Sequence, residues 1–200
     1  MRIVEVNTVC DTGSTGRIAA NIYRLAEKRG HEVYFAYGRG KHPEDINGYK
    51  IGNFFDFTCH VLINFFRGKS GFGSKYTTKK FLKWLDEIKP DILHLHNIHG
   101  FYINVSFLFE YIKEHNIRVV WTLHDCWSFT GQCAHFDYVG CDKWKTGCYK
   151  CPIYRSNYPY SLFSTLHHRN YSNYSSFKKK SSNGTIKGFS KSHIHINRIL

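Results

Sequence analysis

The sequence contains no apolar run long enough to cross a bilayer. Its apolar stretches are short and interrupted by polar residues, well below the roughly 18 residues that a spanning helix needs. The first residues, 1–6, alternate like a strand, and no apolar segment typical of a signal peptide follows them. We therefore expect a cytoplasmic protein, whose seven cysteines are thiols or metal ligands rather than disulfides.

Acidic residues are scarce, since 15 Asp and Glu stand against 28 Lys and Arg, for a net charge of +13. Seven of the basic residues and none of the acidic ones lie in 164–200, where no apolar periodicity is visible. This segment is predicted to be a basic tail that is disordered or aberrant. The rest of the chain is mildly basic, which suits anionic ligands or a membrane surface with acidic lipids, although solvated lysines are the simpler explanation.

Strands alternate with helices along residues 1–163, the predicted folded domain. Residues 2–7 alternate as a strand does, the apolar residues of 18–26 recur at helical spacing, and 32–37 form a second predicted strand. Further helices are predicted at 54–66, 81–88 and 105–115, and further strands at 91–96 and 118–123. This alternation predicts an α/β domain, a Rossmann-like parallel sheet flanked by helices.

The predicted helix at 54–66 is strongly apolar, with five phenylalanines. Two interpretations stay open for it. The helix packs against the domain, or it is amphipathic and inserts into a lipid surface.

A glycine-rich turn, Gly13-Ser14-Thr15-Gly16-Arg17, separates the first strand from the first helix. Ligands of parallel α/β sheets bind beyond the carboxyl ends of the strands, where glycines admit a close backbone approach and helix N-termini attract anions. We predict that these five residues bind substrate. Such turns are also common as purely structural features, and only G-x-x-G of the longer dinucleotide motif is present.

Histidines follow a later strand in the run His94-Leu95-His96-Asn97-Ile98-His99. His94 and His96 are expected on one face of the strand. Three histidines suggest a metal, but no carboxylate completes a known ligand spacing. We therefore predict that His96, Asn97 and His99 contact ligand hydroxyls and that His94 is structural.

The next strand ends in His124-Asp125. A histidine and an acid at the carboxyl end of a strand are well placed for proton chemistry, so both are predicted to be catalytic, with Asp125 orienting His124. The alternative is that Asp125 only caps a turn.

Five cysteines lie within 126–151, inside a Cys-rich loop, 126–152. Cys133, Cys141, Cys148 and Cys151 could complete a tetrahedral structural zinc site, with Cys126 or His135 as a substitute for one ligand. Their spacing differs from that of a standard zinc finger, and free or oxidised thiols in an exposed loop are the alternative.

Together these motifs resemble family 4 glycosyltransferases of bacterial surface-polysaccharide clusters, of the colanic-acid and capsular type. The resemblance rests on 13–17, on 94–100 and above all on Trp121-Thr122-Leu123-His124-Asp125-Cys126-Trp127, and it extends to about Phe163. It implies a two-domain GT-B fold, of which this chain is the acceptor-side N-terminal half. It also implies hexosyl transfer with retention of configuration, without a catalytic metal.

The partners that the resemblance implies are a nucleotide-sugar donor and a glycan or lipid-linked acceptor, at the inner face of the membrane. The donor-binding half, with its glutamate-rich motif, is not recognisable in the sequence. We therefore expect a truncated chain that is inactive alone. The alternative from another class is a zinc-binding nucleic-acid-binding module, built from the basic tail and the cysteines. The strand–helix–strand beginning argues against it, and nucleic acid is not an expected partner.

Overall fold

The computed structural model describes residues 1–67, 71–130, 133–143 and the strand at 194–198. The strands are β1 (Arg2–Val9), β2 (Glu32–Arg39), β3 (Gly48–Lys50), β4 (Ile92–Leu95), β5 (Arg118–Leu123) and β6 (Ile194–Arg198). The helices are α1 (Gly13–Lys28), α2 (Phe54–Arg67), α3 (Lys75–Ile88), α4 (Val105–Glu114) and the short α5 (Trp127–Thr130). A single 3-10 turn, Asp137–Val139, follows α5 within the described residues.

The six strands form one sheet in the order β3-β2-β1-β4-β5-β6, and every pair is parallel. The chain first moves outward from β1 to β3 and then returns to the other side of β1 with β4. This order places a topological switch point between β1 and β4, where parallel α/β sheets bind ligands. The predicted Rossmann-like α/β fold is confirmed.

Two strands depart from the sequence-based expectation. β3 lies in a segment whose polar residues predicted only a connection, and it pairs with β2 over three residues. β6 lies within the segment predicted as a disordered or aberrant tail, yet it pairs with β5 from Val119 to Leu123. An edge strand of a few residues is specified mainly by its partner strand, so neither segment needed a strong pattern of its own.

Alternate residues of the strands supply two apolar layers, one on each face of the sheet. On one face, Val4, Val6, Leu93 and Leu95 pack in a buried cluster with residues of α3 and α4. On the other face, Phe35 joins a second buried cluster with residues of α1, which are Ala19, Ala20 and Tyr23. Helices therefore cover both faces, as parallel sheets require.

Helix α2 departs from the usual pattern, because its buried residues are polar. His60 and Asn64 have no exposed surface, whereas Phe54 and Phe55 are 83% and 74% exposed. Leu62, Ile63 and Phe66 are also exposed on this helix. The helix does pack against the domain, but it turns an apolar face outward. None of the helices in the described part of the chain has the length and apolar content that a bilayer crossing requires.

His60 fastens α2 to the start of α3. Its Nε2 accepts the Gly73 N–H at 3.0 Å, so Nδ1 carries the proton and donates to the Ser74 hydroxyl at 2.8 Å. Burial lowers the pKa of His60 to about 4. Protonation would charge a buried ring and remove the acceptor of the Gly73 N–H.

We predict that His60 makes stability depend on pH. Its pKa is lower in the folded than in the unfolded chain, so its contribution is complete above pH 6.5 and is lost as the pH falls towards 4. The expected loss is about 3 kcal/mol in the free energy of unfolding. Urea unfolding at several pH values should therefore show the difference in free energy of unfolding between wild type and His60→Gln shrinking as the pH falls from 6.5 to 4. If the two free energies of unfolding changed with pH in parallel, His60 would not be buried in its neutral form.

Candidate functional site

The carboxyl ends of β1, β4 and β5 meet at one edge of the sheet, and the loops that follow β4 and β5 lie there. The loop after β4 is fastened to β1, because the Thr8 hydroxyl lies 2.9 Å from the Asn97 carbonyl oxygen and 2.7 Å from that of His99. The Tyr102 hydroxyl donates to the same Asn97 oxygen at 2.9 Å. The predicted contact residues of 96–99 are thus held in place by the sheet.

A buried carboxylate lies behind this edge, in the middle of β1. Glu5 of β1 is paired in register with His94 of β4 and has no exposed surface. Its Oε2 atom lies 3.0 Å from His94 Nδ1 and 2.9 Å from His96 Nε2. Burial raises the pKa of Glu5, but the hydrogen bonds from both histidines outweigh it, and the pKa lies below the usual value. Because an ionised carboxylate only accepts, both ring nitrogens donate.

Each histidine of this pair makes a second contact. His94 Nε2 accepts from the Thr122 hydroxyl on β5 at 2.9 Å, which satisfies the ring completely. His96 Nδ1 lies 2.9 Å from His124 Nε2. The structural role predicted for His94 agrees with this environment, whereas His96 connects the buried carboxylate to His124.

His124 stands at the end of this connection and is only half-buried. Burial lowers its pKa, and proximity to His96 lowers it further. Burial also lowers the pKa of His96. Both rings are therefore neutral at physiological pH, and each has one donor and one acceptor nitrogen.

Asp125 contacts His99 rather than its neighbour His124. Its Oδ2 lies 2.7 Å from His99 Nε2, and its Oδ1 accepts the Trp127 N–H at 2.9 Å where α5 begins. Burial raises the pKa of Asp125, but the hydrogen bonds from His99 and the Trp127 N–H, together with the electrostatic effect of His99 and His135, outweigh it and lower the pKa. The predicted orientation of His124 by Asp125 is wrong, because adjacent residues at a strand end point apart. The capping interpretation agrees with the structure.

Members of both arrangements, His96 with His124 and His99 with Asp125, line one small pocket. Its walls come from the loop after β4 and from the end of β5 with α5: His96, Asn97, Ile98, His99, Trp121, Leu123, His124, Asp125, Trp127 and Ser128. Five residues predicted to bind substrate or to be catalytic are among these. The pocket combines aromatic walls with imidazole, amide and carboxylate groups, which suits a ligand rich in hydroxyls.

The sequence model of Glycosyltransferase Family 4 matches residues 15–181. The chain belongs to this family. It is also 31% identical over 171 residues to the Escherichia coli (strain K12) protein WcaC, whose name assigns it to colanic acid biosynthesis as a glycosyl transferase. The match covers 80% of this chain and 41% of that relative, so the chain spans about two fifths of the relative's length. The family match reaches beyond Phe163, where the sequence motifs alone ended the resemblance.

In this family 4 chain, the glycine-rich segment is a helix turn rather than a loop. Residues 13–17 form the first turn of α1, with Gly13, Ser14 and Arg17 exposed. Gly16 is buried, and a Cβ there would lie 3.1 Å from Val9 Cγ2, so this glycine lets α1 approach β1 closely. None of the five residues, all within the described part of the chain, lines the pocket. Their role as substrate-binding residues stays a prediction.

The carboxylate that the histidine run lacked in sequence is Glu5, some ninety positions away. Glu5, His94 and His96 bring three potential ligand atoms within 4.8 Å of one another. The Glu5 carboxylate and the facing nitrogens of His94 and His96 are already hydrogen-bonded to each other, so the geometry supports a hydrogen-bonded cluster. The sequence carried one sign of this cluster, because Glu5 is an acid among the otherwise apolar residues 3–6 of β1.

The predicted zinc site falls partly outside the described residues. Cys133 is buried and Cys141 half-buried. Cys148 and Cys151 lie outside the part of the chain that the structure describes. The four-cysteine site therefore stays a prediction.

Proposed function

We propose that this chain is the acceptor-side half of a retaining glycosyltransferase, which transfers a sugar from a nucleotide-sugar to a surface-polysaccharide or lipid-linked glycan. Family membership is the observation that carries the proposal. It favours sugar transfer over the nucleic-acid-binding alternative. The name of the E. coli relative supports polysaccharide biosynthesis as the setting.

The pocket at the carboxyl ends of β4 and β5 supports a role in handling hydroxyl groups. His124 lines the pocket, and its Nε2 is engaged by His96. Its Nδ1 makes no hydrogen bond within the described residues. In a transfer between sugars, the protein mainly positions the two substrates and stabilises charge on the departing diphosphate. We propose that His124 contacts the reacting sugar and that Asn97 and His99 contact the acceptor.

We predict that His124→Ala lowers turnover far more than stability. The measurement uses a longer family 4 relative that carries the same motif, Trp121–Trp127. A positioned group of this kind contributes roughly a hundredfold in rate. The control is the alanine variant of a histidine of the same relative that lies outside this motif, and it should keep its turnover. If the folded fraction of His124→Ala works normally, His124 is structural and not catalytic.

We further propose that α2 brings the domain to the inner face of an anionic membrane. Phe54 and Phe55 of this helix expose most of their apolar side-chain surface. The chain has a net charge of +13, and α3, which begins beside His60 of α2, exposes Lys75, Lys79 and Lys80. An exposed apolar helix face on a basic domain matches the surface of a bilayer with acidic lipids. A lipid-linked acceptor would be presented at such a surface.

We predict that Phe54→Ser/Phe55→Ser weakens vesicle binding about tenfold or more, since each phenylalanine contributes roughly 1.5–3 kcal/mol when buried. Sedimentation with phosphatidylglycerol-containing vesicles measures the effect. Leu25→Ser, which removes an exposed apolar residue of α1, is the matched control and should bind as wild type does. Equal binding by wild type and the double variant would exclude α2 as the docking element.

We also propose that Cys133, Cys141, Cys148 and Cys151 hold one structural zinc ion. Protein purified under reducing conditions should then contain about one zinc per chain, and Cys148→Ser should lose it together with thermal stability. Elemental analysis and thermal unfolding measure both effects. Cys59→Ser, at a cysteine of α2, is the control. A protein without zinc, or one with these cysteines in disulfides, would contradict the proposal.

A further inference from the structure

Three side chains from three neighbouring strands form one linear series of hydrogen bonds. The series runs from Glu5 on β1 to His96 after β4, at 2.9 Å, and from His96 to His124 after β5, again at 2.9 Å. It begins at a carboxylate with no exposed surface and ends at a half-buried ring that lines the pocket. Because the carboxylate of Glu5 can only accept, it fixes which nitrogen donates in each of the two hydrogen bonds.

Glu5 fixes the position of each proton along the series. The carboxylate accepts, so His96 Nε2 donates and carries the proton. His96 is neutral, so its Nδ1 has a lone pair and accepts from His124 Nε2. His124 then carries its proton on Nε2, which leaves its Nδ1 as an acceptor.

We propose that Glu5 is a positioning residue, which acts through His96 to hold His124 in the tautomer protonated at Nε2, with Nδ1 available to a ligand hydroxyl in the pocket. The inference rests on the proposed function only for the identity of the ligand as a sugar. The tautomer itself follows from contacts within the chain.

The backbone around His96 gives the series little freedom to rearrange. The His96 N–H donates to the Val6 carbonyl oxygen at 2.9 Å, and the Trp121 indole donates to the His96 carbonyl oxygen at 3.0 Å. His96 is therefore tied to β1 on one side and to β5 on the other. The rings of His96 and His124 are nearly parallel, at 18°, with centroids 5.2 Å apart.

The opposite direction of the series requires an unfavourable group at its buried end. His96 would have to present a lone pair to Glu5, so the carboxyl group would have to be protonated. The hydrogen bonds from both histidines disfavour that state, because they stabilise the ionised form of Glu5. His94 also donates to Glu5, and a protonated carboxyl group would be a poorer acceptor for that hydrogen bond.

The test reads the tautomers directly by nitrogen NMR of the full chain labelled with 15N-histidine. We expect Nε2 protonated and Nδ1 unprotonated in both His96 and His124, with a coupling across the hydrogen bond from His124 Nε2 to His96 Nδ1. His124→Asn assigns the His124 signals by their loss. A His124 protonated at Nδ1 in the wild type would overturn the inference, even if no variant folds.

The variant Glu5→Gln replaces one acceptor oxygen by an amide that donates, at almost unchanged size. His96 is then no longer held in one tautomer, and we expect both tautomers of His124. Thr122→Val is the matched control, because it alters the same buried cluster through His94 and leaves the series intact. It should keep the wild-type His124 signals. An unchanged tautomer in folded Glu5→Gln would overturn the role of Glu5.

Zinc added to the wild type separates this inference from a metal site. If zinc shifts the ring signals of His94 and His96 together, Glu5 and these histidines bind a metal, and the hydrogen-bonded series is wrong. The NMR result does not depend on turnover. Glu5→Gln could change the tautomer of His124 while His124→Ala keeps normal turnover. That combination would refute the proposed catalytic role of His124 and leave the inference about its tautomer intact.

Discussion

The ionised side chain of Glu5 in the middle of the sheet is the constraint around which the site is organised. A buried carboxylate is costly unless hydrogen bonds satisfy it. The residue of β2 opposite Glu5 is the apolar Phe35, so the hydrogen bonds come from the side of β4. His94 and His96 donate them, and His94 is then completed by Thr122 of β5. The charge thereby ties three adjacent strands together by side chains, in addition to their backbone pairing.

This arrangement depends on the strand order. β1 and β4 are neighbours because the chain reverses direction across the sheet after β3, and that reversal brings residues some ninety positions apart into register. The loops of 96–99 and 124–125 meet beside this pair of strands, at the carboxyl ends of the neighbouring strands β4 and β5. The buried cluster lies inside the sheet and the pocket at its edge, and His96 belongs to both.

Sequence patterns predicted the elements well wherever apolar periodicity was strong. The strand Arg118–Leu123 agrees with its predicted bounds, and the helices near 81–88 and 105–115 agree closely at their C-terminal ends. The pattern was insufficient for α2, where an apolar run indicated a helix but not which face is buried. His60 faces the domain because it hydrogen-bonds there to the Gly73 N–H and the Ser74 hydroxyl, which a hydropathy pattern does not reveal.

The sequence by itself determined the fold class, the family and the residue types at the edge of the sheet, because these depend on local periodicity and on contiguous motifs. Tertiary structure decided which of these side chains hydrogen-bond to each other. Asp125 binds His99 instead of His124, and Glu5 completes the histidine run, because hydrogen bonds between side chains follow the register of non-adjacent strands. Local sequence does not encode that register. It is settled when a parallel sheet brings the ends of β1, β4 and β5 together.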